Sequence, residues 1–596
     1  LPDGTSSNYI FVYGESGNGS YDHLHLNKTH HWLKDGAPYR LADDIYVWEH
    51  TADSDNLSIL KIYPGTEVAF EQDKKIYIGH DGDSRHVGAL QADSVTFTSV
   101  DESVTGDHIM FRNFSKDDES YLDHCIIENM GDGVHCASSS PTLTNNIFRN
   151  NTDGVYADGG SAPILTGNTF TNNQYPVKIY GNDIDGNLQG NTYINNLLPD
   201  STSSDYIFVY GESGNGSYDH LHLNKTHHWL KDGAPYRLTD DIRIWEHSYT
   251  TENVSIVKIY PGTEVAFEQN KSIYVGHDSD SRHVGALQAD SVTFTSVDES
   301  VLGNHIKFFN YSKDDESYIN DCIIEHMNDG IYCVHSSPTL RNNIFRKNAD
   351  GLEGDNGASP VVSGNTFMEN ERPVSVYAAR IDSNFHGNTY LDNTKNYIEV
   401  QGGHLYENKI YDWLADGAPY VVEGDVEVWE NSNTSENLST LKIHPGTVVM
   451  FADGDELYIG HNSDDRYIGA LQADGATFTR LSDGYLWPGI SIRSRSRDEE
   501  TYLDDCIIEH AADGVNCFNS SPTLTNNIFR NNTDGLVMDP GGYPVVENNL
   551  FSLNDKGIRK YTGGSQQLVI GGSPSAGNTF AGNIQAGIEE VNGSSW

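Results

Sequence analysis

HCIIENMGDGVHC, residues His124–Cys136, is followed 21 residues later by NNIFRNNTDGVYA, residues Asn145–Ala157. The two lines match position for position. Ile126-Ile127 falls over Ile147-Phe148, and Asp132-Gly133-Val134 over Asp153-Gly154-Val155. PILTGNTF from Pro163 and LQGNTY from Leu188 open two further lines. Strands of three to five residues, with Asn at a fixed corner and a period of roughly 21–25 residues, describe the coils of a parallel β-helix. One coil cannot bury its own apolar face. Stacking at the ~4.8 Å strand spacing buries that face and completes the backbone ladder. An Asn at each corner is expected to stack on the Asn of the next coil and to bond side chain to backbone. Cys125 takes the place of Asn146 and Cys136 that of Ala157, so both are expected to point inward.

The coil lines sit within a larger repeat. HDGDSRHVGALQAD (His80–Asp93) returns as HDSDSRHVGALQAD from His277 and as HNSDDRYIGALQAD from His461. Trp32 to Cys125, Trp229 to Cys322 and Trp413 to Cys506 are each 93 residues apart. This triplication predicts an all-β solenoid of three tandem units, 1–197, 198–394 and 395–596. The rest of each unit reads as short strands. Examples are Tyr9–Tyr13, Asp44–Trp48, the two runs flanking Pro64-Gly65, Ile76–Gly79, Ala89–Ala92 and Val95–Thr98.

Asp plus Glu number 86 against 37 Lys plus Arg, a net charge of -49 spread along the chain. Such a chain repels nucleic acid and anionic membrane surfaces and attracts cations. No run reaches the ~18–20 apolar residues needed to span a bilayer, so membrane insertion is not expected. Leu1-Pro2-Asp3 lacks a Met and matches Leu198-Pro199-Asp200, which reads as a processed start at a unit boundary or a trimmed fragment. The cysteines come in pairs 11 residues apart: Cys125 and Cys136, Cys322 and Cys333, Cys506 and Cys517. A disulfide within each unit and a pair of buried small hydrophobes are equally good readings. Sequons at Asn18, Asn27, Asn56, Asn113, Asn215, Asn224, Asn253, Asn310 and Asn437 make the chain a candidate glycoprotein.

Several stretches carry residue types suited to chemistry. Asp81 and Asp83, Asp278 and Asp280, and Asn462 and Asp464 have the Asp-x-Asp spacing of a calcium loop. No EF-hand Gly or bidentate Glu follows, and an Asp–Arg pair with Arg85, Arg282 or Arg466 is the competing reading. His23, His25, His30 and His31 crowd one loop, but unit three keeps only His404 there, so a solvated loop is the better reading than a metal site. The acidic turns Lys116–Glu119, Lys313–Glu316 and Arg497–Glu500 read as solvated charged turns. Asn151-Thr152-Asp153 is similar to an Asn-Thr-Asp motif of polygalacturonase-type glycosidases, yet their further carboxylates, His and basic pair have no counterpart here. No catalytic residue is assigned.

The Pro-Gly-Thr corners and the GALQAD and NNIFRNN lines resemble the right-handed parallel β-helix repeats of the pectate-lyase-like superfamily. With the acidity, the sequons and the large tandem units, the chain is similar to surface proteins of methanogenic archaea, including disaggregatase-related proteins and sheath or surface-layer subunits. That resemblance implies a secreted, cell-surface structural protein whose partner is another copy of itself, in a polymer or lattice. Surface glycans are a second class of partner. Two alternatives stand beside this reading. One is a calcium-dependent polysaccharide lyase or glycosidase. The other is a carbohydrate-binding adhesin with Tyr63 or Tyr77 as stacking platforms. Every candidate feature recurs in all three units, which favours assembly over catalysis and leads to the expectation that no unit carries a polar cluster of its own.

Overall fold

A computed structural model describes residues 8–14, 23–24, 27–49, 56–82, 84, 86–100, 108–211, 224–247, 253–431, 437–462, 467–562 and 577–592. The chain forms two compact units, Leu1–Ile306 with Tyr311–Ser317, and Lys307–Asn310 with Tyr318–Trp596. Each is an all-β stack of parallel coils, and none of the described helices is long and apolar enough to cross a membrane.

In the first unit a coil lays one short strand on each of three faces. Tyr121–Asp123 pairs with Thr142–Thr144, and that strand with Ile164–Thr166. On the second face Ile126–Glu128, Ile147–Arg149, Thr169–Thr171 and Thr192–Ile194 follow in order. On the third, Asp132–Cys136 pairs with Asp153–Ala157 and then with Tyr175–Tyr180. The register is the one the repeat predicts, with Ile127 over Phe148 and Cys136 over Ala157. The middle residue of each three-residue strand points inward, so Leu122, Leu143 and Leu165 form one buried column and Ile127, Phe148, Phe170 and Tyr193 another. Phe148 and Phe170 stack at 4.9 Å, and Phe170 and Tyr193 at 5.2 Å. Each buried ring contributes on the order of 2–3 kcal/mol of apolar burial.

The corners are built from an unusual backbone residue followed by Asn. Asn145, Gly167 and Gly190 all have φ between 54° and 68°. That left-handed turn delivers Asn146, Asn168 and Asn191 into the core side by side. The Oδ1 of Asn168 accepts from the backbone N–H of Asn146 at 2.9 Å, and its Nδ2 donates to Leu143 O and Asn191 Oδ1. Cys125 opens this ladder, its N–H donating to Asn146 Oδ1 at 2.8 Å. The second unit builds the same ladder twice, from Cys322 through Asn343, Asn365 and Asn388, and from Cys506 through Asn527, Asn549 and Asn578.

All six cysteines are buried and none is joined in a disulfide, so the structure does not contain the disulfides weighed above. Cys125 sits at a ladder corner with its Sγ against the carbonyl of Asp123, whereas Cys136 ends a strand on the third face. Burial pushes the Cys125 and Cys506 thiols up to about 12.

Ladders also continue across the boundaries of the sequence repeats. In the first unit Tyr175–Tyr180 pairs with Ile207–Tyr210. In the second, Arg372–Tyr377 pairs with Ile398–Leu405. An acid closes the Asn ladder at each seam. Asp232 accepts from the N–H and Nδ2 of Asn191 and from the Tyr193 hydroxyl, and Asp416 does the same for Asn388 and Tyr390.

Candidate functional site

The thrice-copied HDGDSRH stretch serves packing. The His80 ring meets Trp48 edge-on at 5.2 Å and lies 4.9 Å from His86. Trp245, His277 and His283 repeat the cluster, as do Trp429, His461 and Tyr467. Gly88, Gly285 and Gly469, which follow it, are dictated by backbone contact. A Cβ on each would lie 1.8 Å from the carbonyl oxygen of Val47, Ile244 or Val428.

Among the described residues, the proposed calcium residues are not gathered into a ligand cluster. Asp280 forms a two-pronged pair with Arg282, at 2.9 and 2.5 Å, and this ion pair holds its carboxyl well below the usual range. Asp278 accepts from Ser279, and Asp81 lies 3.5 Å from Arg112. Asp83 and Asp464 lie outside the described residues, as do the sequons Asn18 and Asn215. Asn27, Asn113, Asn224 and Asn310 are exposed, and Asn56, Asn253 and Asn437 are half-buried. The acidic turns hold loops: Asp117 accepts from Ser139 Oγ and the N–H of Ser140. Tyr77 stacks on Tyr46 at 4.9 Å and carries Arg112 over its ring, while the Tyr63 hydroxyl bonds His31. Neither ring offers a bare platform.

Chemistry-bearing groups converge instead on the third face. The Asn-Thr-Asp line divides there, Asn151 entering a corner ladder and Asp153 lining up over Asp132. Every repeat has such a carboxylate pair with a cation beside it. Lys178 Nζ is 2.7 Å from Asp153, and Arg372 grips both oxygens of Asp350. In repeat three Asp513 pairs in register with Asp534, which Arg559 contacts at 2.8 Å. Asp329, Asp350 and Glu353 bring ligand atoms within 4.8 Å of one another. With both oxygens of Asp350 already bonded to Arg372, this trio is too poor in free donors for the six to eight oxygens calcium takes.

Repeat three departs from the other two. His108 in repeat one and His305 in repeat two align with Gly489, inside the unique sequence Trp487-Pro488-Gly489. His108 places its Nδ1 3.7 Å from Asp132. Gly489 removes the imidazole, adopts φ +126°, and shifts the register of its strand against Ala511–Cys517. A Cβ there would meet Asp513 O at 1.6 Å. The result is a cleft of about 400 Å³ lined by Glu456, Tyr458, Asn462, Arg493, Asp513 and Asn516. Arg493 lies 3.7 Å above the Tyr458 ring. Burial, then the Asp534 charge, pushes Asp513 up to about 6. Burial also raises Glu456. The Oδ1 atoms of Asn462 and Asn516 are buried with no hydrogen-bond partner among the described residues. The expectation that no repeat carries a polar cluster of its own is thus overturned. Its sequence signals were the Gly standing where the other repeats have His, with Glu456 in place of Lys75 and Ser272 and Asn516 in place of His135 and Tyr332.

No curated protein and no solved structure matches the chain significantly. The family described as right handed beta helix region matches residues 78–233, 241–435 and 472–596, most of the chain. With its parallel three-faced coils and Asn ladders, the chain belongs to the right-handed β-helix family.

Proposed function

We propose that the chain is a secreted structural protein that joins copies of itself into a cell-surface sheath, layer or filament. The observation that supports this most directly is the seam between repeats. There the last coil of one repeat and the first of the next are joined by strand pairing and by an Asn–Asp cap, with no linker of a different character. A module that already joins its own kind within a chain is suited to joining it between chains, because heterologous contacts need not close. The net charge of -49 opposes lateral approach of two copies, so divalent cations such as calcium bridge the carboxylate-rich flanks in this reading. Glycans on the exposed sequons fit the same setting. Sedimentation and electron microscopy of the purified chain test it. Ordered multimers are expected, and a monomer at every concentration, with and without calcium, would overturn it.

The repeat-three cleft favours a second reading, the binding or cleavage of a polysaccharide. A carboxyl group raised to about 6, a cation and two unpartnered carbonyl oxygens suit sugar hydroxyls and general acid–base work. Depolymerisation of an acidic polysaccharide that Asp513→Asn abolishes, with assembly unchanged, would establish it. Absence of saccharide binding by the native chain would remove it.

A further inference from the structure

Repeat three keeps the carboxylate pair of the third face and loses what surrounds it in repeat one. There, Asp132 faces two imidazoles, with His108 Nδ1 at 3.7 Å and His135 Nδ1 at 3.5 Å. Burial, then the Lys75, His135 and Arg112 charges, pushes His108 down to about 3, so nitrogen groups crowd this place. Repeat three has Glu456, Gly489 and Asn516 at the positions of Lys75, His108 and His135. Two nitrogen donors and a cation are exchanged for a hydrogen, an amide and a second carboxylate. Arg112 alone keeps its type, as Arg493.

Asp513 is left without a counter-charge. Its carboxyl makes no hydrogen bond or ion pair with any of the described residues. Asp534 lies in register one coil on, and Arg559 is committed to it at 2.8 Å. Asp539 adds further negative charge. Arg493 lies 3.7 Å above the Tyr458 ring and acts on Glu456 instead. Asn516 Oδ1 is buried, and neither end of that amide bonds a described residue, so turning it into the cleft breaks no bond. A half-buried carboxylate without a cation and a buried acceptor without a donor are both costly to the fold. One ligand group answers both, a cation that carries several N–H donors. The cleft, at about 400 Å³, is of the size that takes a small ligand. A calcium ion suits it less well, because Arg493 repels it and two carboxylates with an amide fall short of six to eight oxygens.

We infer that the repeat-three cleft binds a protonated amine, seated on Asp513 and Asn516 in the place that repeat one gives to the imidazoles of His108 and His135. Repeat one supplies the template, since the same carboxylate there is met by nitrogen groups of the chain itself. The amine belongs to an amino sugar or to a free polyamine, and both present the same ammonium to Asp513. The inference rests on the cleft being a ligand site, as the polysaccharide reading also requires. It adds the charge of the group bound, and it needs neither cleavage nor self-assembly.

Calorimetric titration of the full chain with D-glucosamine, N-acetyl-D-glucosamine and spermidine tests it, at a pH of ~6.5 where Asp513 is mostly ionised. Glucosamine or spermidine is expected to bind, and N-acetylglucosamine about tenfold more weakly or worse, because acetylation removes the charge. Asp513→Asn should weaken amine binding about tenfold or more. Asn516→His, which returns the imidazole of repeat one to the carboxyl, should do the same. Asp132→Asn in repeat one should leave binding unchanged, and circular dichroism of each variant checks the fold. Spermidine bound with no saccharide bound would uphold the amine site and remove the polysaccharide reading. Equal affinity for glucosamine and its acetylated form would overturn the amine site and leave the polysaccharide reading standing. Binding of no amine, or amine binding that survives both repeat-three variants, would also overturn it.

Discussion

Asn168 engages both ends of its amide at one corner, accepting from Asn146 and donating to Leu143 O and Asn191 Oδ1. Truncating it leaves a buried N–H and a buried carbonyl unpaired, each worth ~1–3 kcal/mol. Asn168→Ala is expected to cost ~2–4 kcal/mol by that measure, read as a lower denaturation midpoint and faster amide exchange across residues 142–171. Asp513 acts in the opposite sense. Its pKa is raised in the folded chain to about 6, so the folded state favours the neutral acid. Its contribution is complete below the unfolded value near ~4 and is lost as pH rises through about 6. Asp513→Asn removes that dependence and should be more stable than wild type by ~1–3 kcal/mol at pH 8, with the gap opening between pH ~4 and ~6. A gap that is flat across this range would contradict the assignment. The thiols offer a third check. All six should resist alkylation in the native chain and react together on unfolding, because burial hides them and raises the pKa of Cys125, Cys136, Cys506 and Cys517.

At the scale of elements, what could be read from the sequence was whatever recurs with the coil. Asn146 and Asn168 could be recognised as ladder positions because they fall at one place in a 21–25-residue period. Strand register followed from the same spacing, since a one-residue slip would turn Phe148 outward. Gly88 is a different case. Its need for a hydrogen in place of a side chain comes from Val47, 41 positions earlier, and no local pattern reveals that. Gly88→Ala drives a methyl to within 1.8 Å of Val47 O and should destabilise the coil by at least ~3 kcal/mol. Thermal unfolding of that variant beside Gly82→Ala, where a Cβ meets nothing, isolates the effect. The repeat-three cleft was hidden for a related reason. Gly489 for His is a single-letter change whose meaning lies in the neighbouring coil, where it uncovers Asp513.

At the scale of the whole molecule, charge and repetition set the terms of association. Lateral contact between chains of net charge -49 should depend on divalent cations, so chelation is expected to shift light-scattering mass downward and added calcium to restore it, with circular dichroism unchanged. The sequence by itself determined the coil, the corner ladders and the threefold repeat. These depend on residues a fixed number of positions apart, and a stack of like coils turns that spacing directly into contact. Only the tertiary structure decided that each coil has three faces, that the cysteines form no disulfide, and that one repeat of three opens a cleft. Each of these depends on distances between side chains on different coils or faces, which the period does not encode.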